Sequence, residues 1–412
     1  MISGRTRTWL RRLAAVAIPF SLLFAAGRMQ LGGRPSGPFV PDREDEPLER
    51  LPLAARDPEA LKLRSLERAV QVNPNELGPR VALAKQCVAL YRSESDPRYL
   101  GRAEAALGAW FDEPSPPSDV RLLRALVRQS NHDFAAALTD LDVLVQATPG
   151  DPEPWLVRAV VRGVLGRYAE SLTDCGQAHA LAGSLVGAVC RATPLAMTGH
   201  AEEARRGLLS ALGAGRRPER AERAQRVWAL STLAEVEQRL GLNAETASRF
   251  ESALALEPRD PYTLAAYADF LLDHGDPRRV VELLSGFERI DALLLRLAIA
   301  EKQSGSAEHA KDRAAELAAR FDAARLRGDV SHRREESRFA LALAGDPARA
   351  LALAQANWAV QRETGDARVL LEAAAAARDR RAAAPVLAFL AKNGSSDPTL
   401  LELVRRVEAL QS

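Results

Sequence analysis

The feature that most constrains this chain is an internal repeat with a period of 34 residues. Apolar and small residues recur at that spacing over residues 118–185, and the pattern returns over residues 227–294. The matched pairs include Ala125 and Ala159, Phe134 and Tyr168, Leu138 and Leu172, Leu230 and Leu264, Ala234 and Ala268, and Gly241 and Gly275. One unit of this length cannot bury its own apolar face, so neighbouring units have to stack. The sequence therefore predicts a linear array of similar units rather than one domain around a central core.

The composition favours helices as the building element of each unit. Apolar residues make up 47% of the 412 residues and aromatic residues only 5%, with Ala and Leu supplying most of the apolar share. This balance suits helices that touch through small side chains, whereas sheets are enriched in β-branched and aromatic residues. The formal net charge of +2 is too small to indicate a nucleic-acid partner.

An Asp-Pro pair precedes many of the helical patterns. Asp at the N-cap accepts hydrogen bonds from free amides of the first turn, and Pro at the next position has no amide that would need a partner. We therefore predict a helix start at each pair. The pairs lie at 57–58, 96–97, 151–152, 260–261, 276–277, 346–347 and 397–398.

The units resemble the tetratricopeptide-repeat family, in which small residues, a larger apolar residue and a closing proline hold fixed positions. The first unit carries Ala125, Phe134, Ala137 and Pro149 at such positions. The resemblance implies an all-α fold, a right-handed α-solenoid of antiparallel helix pairs whose concave face is lined by the first helix of each pair. The small side chains would let the helix backbones approach, and the larger one would fill the gap between repeats.

Register and composition together divide the chain into six predicted segments. The repeats are regular in the middle of the chain and degenerate on both sides. The segments are 1–27 (signal peptide or membrane anchor), 28–56 (flexible Pro/Gly-rich linker), 57–117 (degenerate N-terminal helical repeats), 118–294 (tetratricopeptide repeats), 295–396 (degenerate C-terminal helical repeats) and 397–412 (capping helix).

Residues 1–27 combine a positive start with an uncharged apolar run from Leu13 to Gly27. This pattern is typical of a cleaved secretory signal, and the run is short of the roughly 20 residues that span a bilayer. An uncleaved inner-membrane anchor and a buried helix of a cytoplasmic protein are the alternatives. Either of the first two would place the repeats in the periplasm or outside the cell.

The resemblance also gives the positions that would face the concave groove, and the most informative ones lie between residues 228 and 273. The predicted protein-binding residues are Trp228, Glu235, Gln238, Arg239, Tyr262, Asp269 and Asp273. Trp228 and Tyr262 are large aromatics that the repeat core does not demand. They either pack against the adjacent helix or stand beside carboxylates to receive an extended peptide or an amphipathic helix.

The cysteines, Cys87, Cys175 and Cys190, are too few for a disulfide framework. Buried free thiols are the favoured interpretation, and a Cys175–Cys190 bridge between neighbouring helices is the alternative if the compartment is oxidising. A metal site that adds His179 is disfavoured, because Cys175 occupies an ordinary core position of its repeat.

No nucleotide-binding loop, zincin helix or nucleophile elbow occurs in the sequence. We therefore predict no enzymatic activity, no cofactor, no metal, no small-molecule substrate and no nucleic-acid partner. The predicted function is a protein-interaction scaffold of the bacterial cell envelope, which binds a protein or peptide in its groove to support assembly, secretion or maturation of a complex. The alternatives are an envelope hydrolase whose site joins residues distant in sequence, and a cytoplasmic regulatory sensor.

Overall fold

The computed structural model describes residues 58–213 and 220–410, without the side chains of residues 220–222. The predicted signal or anchor at 1–27 and the linker at 28–56 lie outside the described residues. Within the described ranges all regular structure is helical, and no strand is present. These residues belong to one compact unit, Leu51–Ser412.

Twenty-one α-helices follow one another in these ranges, and one of them ends in a π-helical turn, Ala340–Ala344. The helices are α1 (Pro58–Val72), α2 (Leu77–Glu94), α3 (Arg98–Leu107), α4 (Ala109–Asp112), α5 (Ser118–Ser130), α6 (Phe134–Ala147), α7 (Pro152–Val164), α8 (Tyr168–Ala182), α9 (Ser184–Met197), α10 (Ala201–Gly213), α11 (Arg220–Arg239), α12 (Asn243–Leu256), α13 (Pro261–Asp273), α14 (Pro277–Leu284), α15 (Asp291–Gln303), α16 (Ala307–Leu326), α17 (Arg333–Phe339), α18 (Pro347–Trp358), α19 (Thr364–Ala377), α20 (Ala384–Asn393) and α21 (Pro398–Glu408).

The Asp-Pro pairs begin helices as predicted. At five of the seven pairs the Asp carboxylate accepts a first-turn amide and the Pro stands at the start of the helix; these are Asp151, Asp260, Asp276, Asp346 and Asp397. At the pair 96–97 the helix begins one residue later, and the Asp96 carboxylate accepts the amide of Arg98 at 3.0 Å. Asp57 lies outside the described residues.

Small residues bring the helices of each repeat into contact, as the resemblance implied. These buried positions are Ala125, Ala137, Ala159, Ser171, Ala234, Thr246 and Ala268. The larger partners Phe134, Tyr168 and Phe250 are buried as well. Side-chain hydroxyls fit the same contacts when they find an acceptor, since the Ser171 Oγ donates to the Ala159 carbonyl at 2.8 Å.

One glycine and one proline set helix boundaries in the two degenerate segments. Helices α3 and α4 are divided at Gly108, whose positive φ of 55° breaks the helical path. Pro385 occupies the first turn of α20, where a proline costs no hydrogen bond.

The favoured interpretation of the cysteines is wrong for two of the three. Cys175 and Cys190 form a disulfide, while Cys87 is free and buried. Helices α8 and α9 meet at Gly183 and run antiparallel, so residues nearly equidistant from that glycine come side by side, with Cα atoms 5.5 Å apart. The repeat register gives Cys175 a core position, but it does not show which side chain of the next helix faces it.

The C-terminal helices return to contact the middle of the solenoid. The amide of Arg362 donates to the carbonyl of Val164 at 2.7 Å, and the Tyr168 hydroxyl donates to the carbonyl of Arg362 at 3.4 Å. The ring of Phe389 lies 6.1 Å from the ring of Tyr168 and covers Gly166 closely. The solenoid therefore closes on itself, and helices α17–α21 occupy part of the space that an open superhelix would leave to a partner.

Candidate functional site

Trp228 and Tyr262 lie on the wall of the same pocket, which has a volume of 370 Å³. Trp228 belongs to α11, Tyr262 belongs to the first turn of α13, and the end of α12 and the loop after it complete the wall. We call this the aromatic pocket. It is lined by Arg223, Ala224, Val227, Trp228, Ser231, Glu257, Asp260 and Tyr262.

Of the two alternatives given for Trp228 and Tyr262, packing against neighbouring helices describes Trp228, and an accessible ring beside a carboxylate describes Tyr262. Trp228 is half-buried and packs against the apolar cluster of α9, α10 and α11, which includes Leu208 and Leu233. Tyr262 keeps 57% of its surface accessible, which is rare for so large a side chain. The pocket therefore has one anchored aromatic wall and one that stands open.

A chain of hydrogen bonds holds the polar side of the aromatic pocket in place. The hydroxyls of Ser231 and Thr263 lie 2.7 Å apart, and Thr263 Oγ1 donates to the Asp260 carboxylate at 2.6 Å. The same carboxylate accepts the amide of Thr263 and so caps α13. Because Ser231 and Thr263 are buried, these bonds fix the approach of α11 to α13 and with it the spacing of the two aromatics.

The Tyr262 hydroxyl donates a hydrogen bond to Glu235. Reduced hydration raises the pKa of Glu235, although Arg239 and the Tyr262 hydroxyl favour its charged form. Reduced hydration at the hydroxyl, reinforced by the negative charge of Glu235, raises the pKa of Tyr262 well above its ordinary value. At neutral pH the tyrosine is therefore a neutral donor and its ring faces open space.

Three other predicted groove residues are held by partners within the chain. Asp269 accepts bonds from Arg296 at 2.6 Å and from Arg338 at 2.8 Å, and Asp273 accepts two bonds from Arg368, both at 2.6 Å. Burial alone would raise the pKa of Asp269, but the two guanidinium groups hold it well below its usual range.

The third residue held in this way is Arg239, which reaches two C-terminal elements. It donates to the Thr364 hydroxyl and lies 3.6 Å from the Asp397 carboxylate. Thr364 also contacts the Met197 sulfur at 3.0 Å, so this point joins α9, α11, α19 and α21. Gln238, the last of the predicted groove residues, is half-buried.

The partners Arg338 and Arg368 were missed by sequence reasoning. They belong to the degenerate segment, where the repeat register gives no alignment with the regular units. The π-helical turn Ala340–Ala344 adds to the difficulty, because it shifts the helical phase within the unit. A run of alternating charge, from Arg333 to Arg338, was the available signal, but such a run more often marks a solvated face.

A second set of charged residues was not predicted, although these residues recur at the 34-residue spacing. Asp140 accepts bonds from Arg124 and Arg128, and 34 residues later Asp174 accepts bonds from Arg158 and Arg162. Both carboxylates are buried. Identical charged residues at the repeat spacing were therefore a signal for structure inside the repeat.

The described ranges contain no group of three or more His, Cys, Asp and Glu side chains placed to hold a metal ion. In the same ranges no helix combines the length and hydropathy that a membrane crossing needs.

No protein-family model and no curated protein matches this chain. Among solved structures, a human IFIT1 dimer with m7Gppp-AAAA is 13% identical with a TM-score of 0.45, over 85% of this chain and 86% of that one. A Rap protein complexed with Competence and Sporulation Factor is 14% identical with a TM-score of 0.45, over 86% and 99%. A tetratricopeptide repeat protein from Parabacteroides merdae is 14% identical with a TM-score of 0.39, over 62% and 92%.

Independently of these likenesses, the antiparallel helix pairs, the 34-residue register and the buried small residues make the described part of this chain an α-solenoid of helical repeats.

Proposed function

We propose that this protein is a non-enzymatic interaction scaffold of the bacterial cell envelope, which binds a segment of a partner protein at the aromatic pocket. In this role it supports assembly, secretion or maturation of a complex. The observation that carries the proposal is that Trp228 and Tyr262, one 34-residue period apart in sequence, share one pocket while Tyr262 stays 57% accessible. Tyr and Trp are the residue types most often responsible for affinity at protein interfaces.

The internal pairing of the other groove residues directs a partner to this pocket. Arg239, Asp269 and Asp273 are held by α17, α19 and α21, so a partner that used them would first have to break those bonds. A partner that covers the accessible ring of Tyr262 does not have to break a bond of this kind. Covering it would bury apolar surface at about 25 cal/mol per Å² without leaving an internal charge unpaired.

Two observations support an envelope location. Disulfides persist in oxidising compartments and are rare in reducing ones, and Cys175 and Cys190 are joined. Residues 1–27 have the charge and hydropathy pattern of a secretory signal or anchor. The proposal places the repeats on the periplasmic side of the inner membrane or free in the periplasm.

Capture from envelope extracts tests the binding role. The full-length protein, purified in mild detergent and immobilised, should retain a partner that a Trp228→Ala/Tyr262→Ala variant retains at least roughly 30-fold less well, because interface anchors contribute about 2 kcal/mol or more. The matched control is Val72→Ala/Leu326→Ala, which removes two exposed apolar side chains elsewhere. Equal capture by the wild type and the aromatic variant would refute the pocket as the binding site.

The location is tested separately with residues 1–60 fused to a reporter that is active only outside the cytoplasm. We expect activity from the native segment and its loss with Leu22→Arg, since a charge in mid-segment costs about 2.5–3.5 kcal/mol on insertion. An inactive native fusion would contradict export.

A further inference from the structure

Two half-buried tryptophans of the described residues carry an arginine over their rings. The guanidinium of Arg80 lies 5.6 Å from the ring of Trp110, and that of Arg158 lies 5.0 Å from the ring of Trp155. An aromatic face attracts a cation through its quadrupole, most strongly for Trp.

Trp228 departs from this pattern. Trp358 is buried against Phe389 at 5.2 Å, which leaves Trp228 as the half-buried tryptophan over which no arginine of the described residues is placed. The same holds for the accessible ring of Tyr262. On the wall of one pocket, therefore, two aromatic rings carry no arginine of the described residues, unlike Trp110, Trp155 and Tyr99.

The charges around the aromatic pocket favour a cation there. Glu257 and Asp260 line it, and Glu235 accepts a hydrogen bond from the Tyr262 hydroxyl. Donation from a phenol to a carboxylate increases the electron density of the ring, which strengthens its attraction for a positive charge. Among the described residues that line the pocket, the one cation is Arg223, which is exposed on α11.

The size of the pocket also suits such a side chain. A volume of 370 Å³ accepts the long aliphatic stem and the charged head of an arginine or a lysine together. The stem would cover the two rings, while the head would meet the Glu257 carboxylate at the solvent edge. Glu257 is exposed, so its charge is available without prior loss of an internal bond.

We infer that the partner segment inserts an arginine or lysine side chain between Trp228 and Tyr262, with Glu257 as its counter-ion. This inference rests on the proposed function and specifies the chemistry of the partner. The site would then bind a basic residue of an extended segment, and its specificity would come from the charge of Glu257 and the rings of Trp228 and Tyr262.

Four decapeptide pools test the inference. The pools are identical and degenerate except at one central position, which is arginine, lysine, citrulline or glutamate, and each is incubated with the immobilised full-length protein. Citrulline keeps the shape of arginine without its charge. We expect the arginine and lysine pools to be retained about fivefold more than the other two, which is the fold-change of one cation–π contact of about 1 kcal/mol.

Three variants sharpen the result. Glu257→Gln should reduce the preference for the basic pools, Arg223→Ala should increase their retention, and Trp228→Ala/Tyr262→Ala should abolish it. The control Glu402→Gln removes an exposed carboxylate on α21 and should change nothing.

The outcomes separate the two proposals. Pocket-dependent retention of all four pools to the same extent overturns the basic side chain and keeps the binding role. If the Trp228→Ala/Tyr262→Ala variant retains every pool as well as the wild type does, both proposals are overturned. Preference for the glutamate pool would assign the opposite charge to the partner and so contradicts the inference as well.

Discussion

The repeats of α5–α8 and the inner helices α13–α19 use charged residues in different ways. In the first region each buried carboxylate bonds arginines of its own helix pair, as Asp174 does with Arg158, 16 residues away. In the second region the bonds of Asp269 and Asp273 cross the solenoid, with 69 residues between Asp269 and Arg338 and 95 between Asp273 and Arg368. The first set joins two helices of one repeat, and the second set holds a closed solenoid.

This contrast shows which surfaces of the solenoid stay available to a partner. A charge that completes its own repeat belongs to the core, and a charge that crosses the interior competes with any ligand for the same partner. What remains accessible is the surface that neither set uses. In this protein that surface includes the aromatic pocket, where Tyr262 keeps 57% of its surface accessible beside the half-buried Trp228.

The largest expected effect comes from breaking a charge within a repeat. Asp174→Ala should lower the free energy of unfolding by about 3–5 kcal/mol, because it removes the buried carboxylate that bonds Arg158 and Arg162 and leaves these arginines only the exposed Asp142 and Glu170. Urea titration followed by circular dichroism measures the change.

The control for this prediction is Asp142→Ala, which removes another carboxylate from the same arginine. Asp142 bonds Arg158 at 2.8 Å, but its side chain is 53% exposed, so the expected loss is at most about 1 kcal/mol. Equal losses for Asp142 and Asp174 would refute the distinction between buried and accessible pairs.

A comparison of two glycines measures how much the contact between Gly166 and Phe389, which closes the solenoid, contributes to stability. Gly166 and Gly241 end equivalent helices with the same φ of 73°, so an alanine at either position meets the same backbone strain of about 1–2 kcal/mol. A Cβ at Gly166 would also come within 2.7 Å of the Phe389 ring, whereas one at Gly241 would meet nothing. Gly166→Ala should therefore lose about 1–3 kcal/mol more than Gly241→Ala. Identical losses in urea titration would show that Phe389 does not cover Gly166.

The cross-solenoid charges give a pH-dependent effect of smaller size. The folded pKa of Asp269 lies below its unfolded value, so its contribution is complete above the unfolded pKa, near 4, and is lost as the pH falls toward the folded value. Asp269→Asn should cost about 1.5–3 kcal/mol at pH 7, the value of hydrogen bonds to charged groups, and progressively less below pH 4. A difference that is constant from pH 7 to pH 3 would contradict this.

Glu235→Gln is the control with the opposite sign. Because the folded pKa of Glu235 is raised, its charged form opposes folding once the pH exceeds the unfolded pKa, and glutamine can still accept the Tyr262 hydroxyl. The variant should therefore be as stable as the wild type near pH 3 and slightly more stable at pH 7. Thermal unfolding at the two pH values compares them.

The periodic part of the fold follows from the sequence because local rules act the same way in every unit. An Asp-Pro start or a buried alanine at the repeat spacing depends on residues within one helix pair, and these predictions are confirmed. The pocket could be predicted only in part: the register placed Trp228 and Tyr262 on the inner face but did not give the shape between them.

What could not be predicted depends on contacts between distant units. The bonds of Arg338 and Arg368 across the interior arise from the total turn of the solenoid, which accumulates small rotations over many repeats. The Cys175–Cys190 disulfide depends on which faces of α8 and α9 meet. The 34-residue period gives neither the total rotation of the solenoid nor the residue that faces Cys175 on the next helix.

The distance between α8 and α20 tests closure most directly. Nitroxide labels on Ala169→Cys and Ala391→Cys, two exposed positions next to the contact of Tyr168 with Phe389, are placed in a Cys87→Ala background and measured by double electron–electron resonance. Closure predicts one narrow distribution at short distance that broadens in Arg338→Ala/Arg368→Ala. A broad distribution at long distance, unchanged by the arginine variant, would mean an open solenoid whose Asp269 and Asp273 are free for a partner.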